Sequence, residues 1–87
     1  MLQEKVTVHN PSGLHLRPAG ILCKEAMKFK SQITFQIGNT TANAKSVLSV
    51  LGAGVKCGDH IQLICDGPDE AAAMEKISQL ISTGLTE

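Results

Sequence analysis

The stretch SGLHLRPAG, residues 12–20, carries the side chains best suited to chemistry. A neutral imidazole is a good nucleophile near pH 7, and His15 supplies the ring. Arg17, two residues on, brings a permanent cation whose forked donors suit a phosphate. Pro18 fits the first turn of a helix, where its missing N–H removes no intrahelical bond. A helix start leaves backbone N–H groups without intrahelical partners and carries about half a positive charge, so it forms an anion site. Gly13 lets the preceding loop adopt a conformation that a β-carbon disfavours. A nucleophile thus stands beside donors placed for an incoming phosphoryl group. The chain has no Walker A motif and no carboxylate cluster for Mg²⁺. It is therefore expected to receive a phosphoryl group and pass it on, with no metal and no cofactor, rather than to activate ATP. Taken alone, H-x-R-P is short, and a surface histidine beside a surface arginine ahead of a helix is a reading these residues leave open.

Hydrophobic periodicity supplies the elements that must position this pair. Val6 and Val8 alternate with polar neighbours, which predicts a strand over 3–8. Leu16, Ala19, Ile21, Leu22, Ala26 and Met27 follow helical spacing and predict a first helix over about 16–28. Ile33, Phe35 and Ile37 alternate as a second strand; Gly38-Asn39 is a hairpin signal leading to a third over 40–44, with Ala42 and Ala44 inward. Ser46 stands before VLSVL as the N-cap of a short helix. Ile61, Leu63 and Cys65 mark a fourth strand. Pro68, Asp69 and Glu70 open a last helix over 69 to about 84, whose stripe is Ala73, Met74, Ile77, Leu80, Ile81 and Leu85. The order βαββαβα predicts an α+β open-faced sandwich, with a four-stranded antiparallel sheet covered on one face by helices. Lys5, Thr7, Thr34, Gln36 and Gln62 are expected on the bare face.

Composition narrows the class. The 87 residues suit a single domain, 1–87, and 43% of them are hydrophobic, enough for one core. Eight basic residues balance eight acidic ones, which argues against a nucleic-acid stripe or a polybasic membrane anchor. The only aromatics are Phe29 and Phe35, both read as core-facing, whereas an RNA-reading sheet needs exposed ones. No apolar run approaches the ~20 residues of a membrane span. Three cysteines without a CxxC fit neither a disulfide framework nor a zinc site. Cys23, Cys57 and Cys65 read as reduced, mostly buried thiols in a cytoplasmic protein.

The motif GLHLRPA resembles the active-site signature of HPr, the histidine-containing phosphocarrier of the bacterial sugar phosphotransferase system. The resemblance spans essentially the whole chain, including AKSVLSVLGAGVKCGD and CDGPDE. It implies phosphorylation of His15 on Nδ1, with Arg17 clamping the phosphoryl group and the backbone amides of Leu16 and Arg17 completing the cradle. It also implies a relay: enzyme I, charged by phosphoenolpyruvate, phosphorylates His15, and the phosphohistidine donates to IIA domains of sugar permeases. The default is a monomer.

Ser46 reads as a helix cap worth about 1 kcal/mol. The resemblance to Gram-positive HPr adds a regulatory phosphorylation there by HPr kinase/phosphorylase, with a catabolite control repressor as partner. A six-residue helix cannot bury all of Val47, Leu48, Val50 and Leu51, so some are expected to be exposed near Leu14, Leu16 and Gly20. These would form a docking patch around His15, with Lys24, Lys28 and Lys45 as either an electropositive rim or an ordinary solvated face. His9 and His60 read as surface or strand-edge residues. The alternative function is a regulatory or nitrogen-related paralogue acting mainly as a protein-binding module.

Overall fold

The computed structural model describes residues 1–85 of the chain. Four strands and three helices follow in the expected order: β1 (Leu2–Thr7), α1 (Leu16–Ala26), β2 (Gln32–Ile37), β3 (Thr40–Asn43), α2 (Val47–Gly52), β4 (His60–Asp66) and α3 (Glu70–Ser82). The sheet order is β1-β4-β2-β3, with every neighbouring pair antiparallel. Register puts apolar residues opposite one another: Val6 faces Ile61, Ile33 faces Cys65, and Phe35 lies between Leu63 and Ala42. All of these are buried. Paired residues share a face, so one side of the sheet is continuously apolar.

The helices close that side. Ala19, Leu22 and Ala26 of α1 and Ala73, Met74, Ile77 and Ile81 of α3 join the same core, and Val50 is the buried residue of α2. The opposite face carries Lys5, Thr7, Thr34, Gln36 and Gln62, as the alternation predicts, with Gln62 donating to Gln3 across the strands. The architecture is the open-faced βαββαβα sandwich.

Burial departs from the sequence expectations at three points. Met27, on the apolar period of α1, is 63% exposed, whereas Leu16, expected in the docking patch, is 66% exposed. Met27 follows the last turn of α1, at the end of its apolar stripe. Phe29 follows α1 and is only half-buried, packed against the edge of the core. Cys57 is exposed and Cys23 half-buried, leaving Cys65 as the fully buried thiol, its pKa pushed up to about 11 mainly by desolvation.

The residue type of Asp69 predicts an acid at the opening of α3. Asp69 stands at the N-cap position, but its carboxylate makes no cap bond within the helix. It accepts instead from the backbone N–H groups of Lys30 and Ser31, each at 2.9 Å, and from the Ser31 hydroxyl. This ties the start of α3 to the turn ahead of β2. Gly67 makes the approach feasible: a β-carbon there would lie 2.6 Å from Ser31 Cα. The Ser31 hydroxyl first, then the Lys30 amide, hold the Asp69 carboxyl down at about 2. Because this value lies below the ordinary 3.8, the linkage stabilises the fold above about pH 4 and is lost as pH falls towards 2. A urea-melt series should therefore show stability falling across that interval. Asp69→Asn should flatten the fall, and an unchanged slope would remove Asp69 as its cause.

Candidate functional site

Local structure around His15 follows from three residues. Gly13 sits at φ +68, and its N–H donates to the Asn10 carbonyl at 2.9 Å, closing a turn over Pro11-Ser12. Leu14 N–H then donates to the Val55 carbonyl at 3.0 Å, which docks the loop on the segment after α2. His15 is the N-cap of α1, with extended backbone (φ −74, ψ −174) and a side chain that makes no cap bond. Its carbonyl accepts the first helical bond, from Ala19 at 2.8 Å. Pro18 has no N–H, so the amides that precede the helical ladder in this turn are those of Leu16 and Arg17. His15, Leu16 and Arg17 are all exposed.

Three surface depressions meet here. The first, about 620 Å³, is lined by Asn10, Ser12, His15, Leu16, Arg17, Pro18 and Leu85. The second, about 850 Å³, runs along α1 from Leu16 and Arg17 past Gly20, Ile21 and Lys24 to Lys28, with Leu80 of α3 as its far wall. The third, about 260 Å³, joins His15 and Ser12 to Leu51, Val55 and Lys56. The imidazole and the guanidinium thus share one open basin at the positive end of a helix, the arrangement that the residue types suggested.

The residues of the expected docking patch are distributed around this basin: Leu16 and Gly20 line the second depression, and Leu14 and Leu51 the third. Leu48 is 82% exposed, but lines none of the three. Val47 and Leu51 are half-buried against the core. Leu14 is 4% exposed, its amide bonded to the Val55 carbonyl, and it lines the floor of the third depression beside His15 and Leu51. Gly20 has nothing within 4 Å of where a β-carbon would stand, so no described element demands a glycine there.

Of the lysines, Lys24 and Lys28 border the basin. Lys28 pairs with Glu25 at 3.1 Å, whereas Lys45 turns back to donate to the Phe29 carbonyl at 2.7 Å. His60 Nδ1 lies 2.8 Å from Thr7 Oγ1 on the bare sheet face, far from this chemistry. Sequence reasoning missed Asn10, Ser12, Lys56 and Leu85 as lining residues. Ser12 was within reach, being a polar neighbour of the motif. Leu85 gave no local signal, since it arrives from the other end of the chain.

Ser46 does what its type suggests. Its hydroxyl oxygen accepts from Ser49 N–H at 3.2 Å, capping α2. The cap joins a wider knot in which Ser49 Oγ accepts from Asn43 N–H and Ser46 N–H donates to the Asn43 carbonyl.

With this geometry in view, the comparison with known proteins is decisive. Residues 2–83 match the family described as the PTS HPr component phosphorylation site. The chain belongs to the HPr family. The HPr of Treponema pallidum is 34% identical over 87 residues, all of this chain and 99% of that protein. The HPr-like protein Crh of Bacillus subtilis is 35% identical over 81 residues, covering 93% of this chain and 95% of Crh. A crystal structure of HPr from Thermoanaerobacter tengcongensis superposes with a TM-score of 0.94 at 34% identity, covering 100% of this chain and 98% of that one. An HPr-family member of this kind is a phosphocarrier of the phosphotransferase system, and its partners are proteins of that system. Among the described residues, no helix is long and apolar enough to cross a membrane.

Proposed function

We propose that His15 is the phosphoacceptor of a cytoplasmic, monomeric sugar-system carrier formed by residues 1–87. Enzyme I is the donor and IIA domains of sugar permeases are the recipients. The observation that carries this reading is an exposed imidazole at the N-cap of α1 that caps nothing, sharing its basin with Arg17. Transfer requires the Nδ1 lone pair, with the ring proton on Nε2. An N–P bond forms at Nδ1 while the bond from phosphorus to the donor on enzyme I breaks. The reverse exchange delivers the group to IIA. Arg17 and the amides of Leu16 and Arg17 are suited to hold the equatorial oxygens. Because the basin is open, these contacts orient the group without burying it. The carrier contributes positioning, and the docked partner supplies the remaining charge stabilisation. The docking patch of Leu14, Leu16, Gly20, Val47, Leu48 and Leu51, in which Leu16 and Leu48 are the exposed hydrophobics, would meet the partner, with Lys24 and Lys28 adding a positive rim.

The test is incubation with phosphoenolpyruvate and enzyme I. One acid-labile, base-stable phosphoryl group per chain is expected, and its mapping to any residue other than His15 would overturn the assignment.

Ser46 supports a second, regulatory modification by an ATP-dependent HPr kinase/phosphorylase, with a catabolite control repressor as reader. The similarity to Crh, solved as the Bacillus subtilis catabolite repression HPr, favours it. An added phosphate would sit at the start of α2, where a negative charge is favourable. ATP and the kinase should give an acid-stable label that Ser46→Ala loses, at a stability cost of about 1 kcal/mol for the cap. That variant should keep its acid-labile label. Absence of acid-stable label on the wild type, with the kinase active on another HPr, leaves only the cap.

A further inference from the structure

The basin beside His15 has a back wall that the motif does not supply. Asn10 is only 6% exposed, although it lies in a surface loop, and it lines the basin together with Leu85. Its backbone carbonyl accepts the Gly13 N–H, and its side-chain Nδ2 donates to the Gly84 carbonyl, 74 residues away in the sequence. Among the described residues, its Oδ1 is buried without a partner. Leaving such an acceptor unsatisfied costs roughly 1–3 kcal/mol, so the other half of the amide must matter enough to keep it. Flipping the amide would set Oδ1 against the Gly84 oxygen, which fixes its orientation.

The segment it grips is shaped for the grip. Gly84 and Leu85 leave α3 with φ of 102 and 48, and their N–H groups donate back to Ile81 and Leu80 at 3.2 and 3.1 Å. This turns Leu85 under the basin, where it is 2% exposed. One amide therefore joins the end of α3 to the loop that presents His15.

We propose that Asn10 is a positioning residue for phosphoryl transfer, holding the His15 loop and the Leu85 wall in one arrangement through the Gly84 carbonyl. The proposal rests on the phosphocarrier reading above. Asn10 acts through Gly13 and Leu85 and does not touch the phosphoryl group. It is also buried from any docked partner, so its loss should slow the transfer step and leave partner affinity alone.

The experiment is single-turnover transfer from phosphorylated enzyme I to the wild type, Asn10→Ala and Asn10→Leu, at a temperature where circular dichroism shows each folded. Asn10→Leu keeps the branched shape and removes both the orphan acceptor and the bond to Gly84, so a purely structural role predicts a change confined to stability and an unchanged rate in the folded protein. Positioning predicts a saturating rate down about tenfold in both variants, with the half-saturating concentration within about twofold of wild type. Leu85→Ala should show a like defect, to which Asn10→Ala adds little. An unchanged saturating rate in Asn10→Leu, or a loss confined to half-saturation, overturns the proposal. Wild type that accepts no phosphoryl group overturns the phosphocarrier reading itself, which keeps the two failures distinct.

Discussion

His15→Ala should take up none of the acid-labile label that phosphoenolpyruvate and enzyme I place on the wild type. The loss should be complete because no second imidazole has the same surroundings. His9 is exposed in the loop after β1, outside the basin that holds Arg17. His60 opens β4 on the bare sheet face and is engaged with Thr7. Neither stands at a helix N-terminus, so neither has the fixed donors that make transfer to His15 a matter of positioning. The fold should not suffer. The His15 side chain is exposed and caps nothing, so stability should change by no more than about 0.5 kcal/mol. Thermal melts alongside the labelling check this. A folded variant that still carries acid-labile phosphate would move the acceptor elsewhere and leave the α1 basin without its assigned role.

The sheet was legible because a half-buried strand writes its burial into every second residue. Ile33 and Phe35 alternate with Gln32, Thr34 and Gln36, and each falls on the side its type predicts. Helical faces were less legible at their ends. Met27 satisfies the α1 period, but periodicity cannot say where the neighbouring helices stop covering the stripe. The burial of Leu14 was less legible. Between Gly13 and His15 it reads as part of a site, and it does line the depression beside His15, but the bond from its amide to Val55 sets its burial, and a partner 41 positions away leaves no local pattern. His15 and Arg17 were readable because their chemistry and their helix start are adjacent in sequence. Asn10 and Leu85 were not, because the basin wall they build depends on a hydrogen bond across almost the whole chain. Asp69 shows the same limit: its residue type announced a helix start, and its three donors came from the turn ahead of β2.

Gly13→Ala should lower stability by about 3 kcal/mol and slow phosphoryl transfer more than about tenfold. Two independent costs add in the first term. At φ +68 an L-residue is disfavoured by about 1–2 kcal/mol relative to glycine. The new β-carbon would also stand 2.2 Å from the Val55 carbonyl oxygen and 2.8 Å from Lys56 Cα, and both are backbone atoms that cannot swing aside. The loop must therefore lift off the segment after α2, at the expense of the Leu14–Val55 bond and the burial of Leu14. His15 is two residues away and is carried by the same loop, so its ring loses its fixed relation to the first turn of α1. For a chain of this length the melting temperature should drop by more than about 10 °C. Gly20→Ala is the matched contrast: it lies mid-helix with open space at its β-carbon position, and should gain up to about 1 kcal/mol from helix propensity. Differential scanning calorimetry on the two variants decides the point. Equal small shifts would show that the His15 loop tolerates a β-carbon at residue 13, and that its approach to Val55 does not hold the acceptor in place.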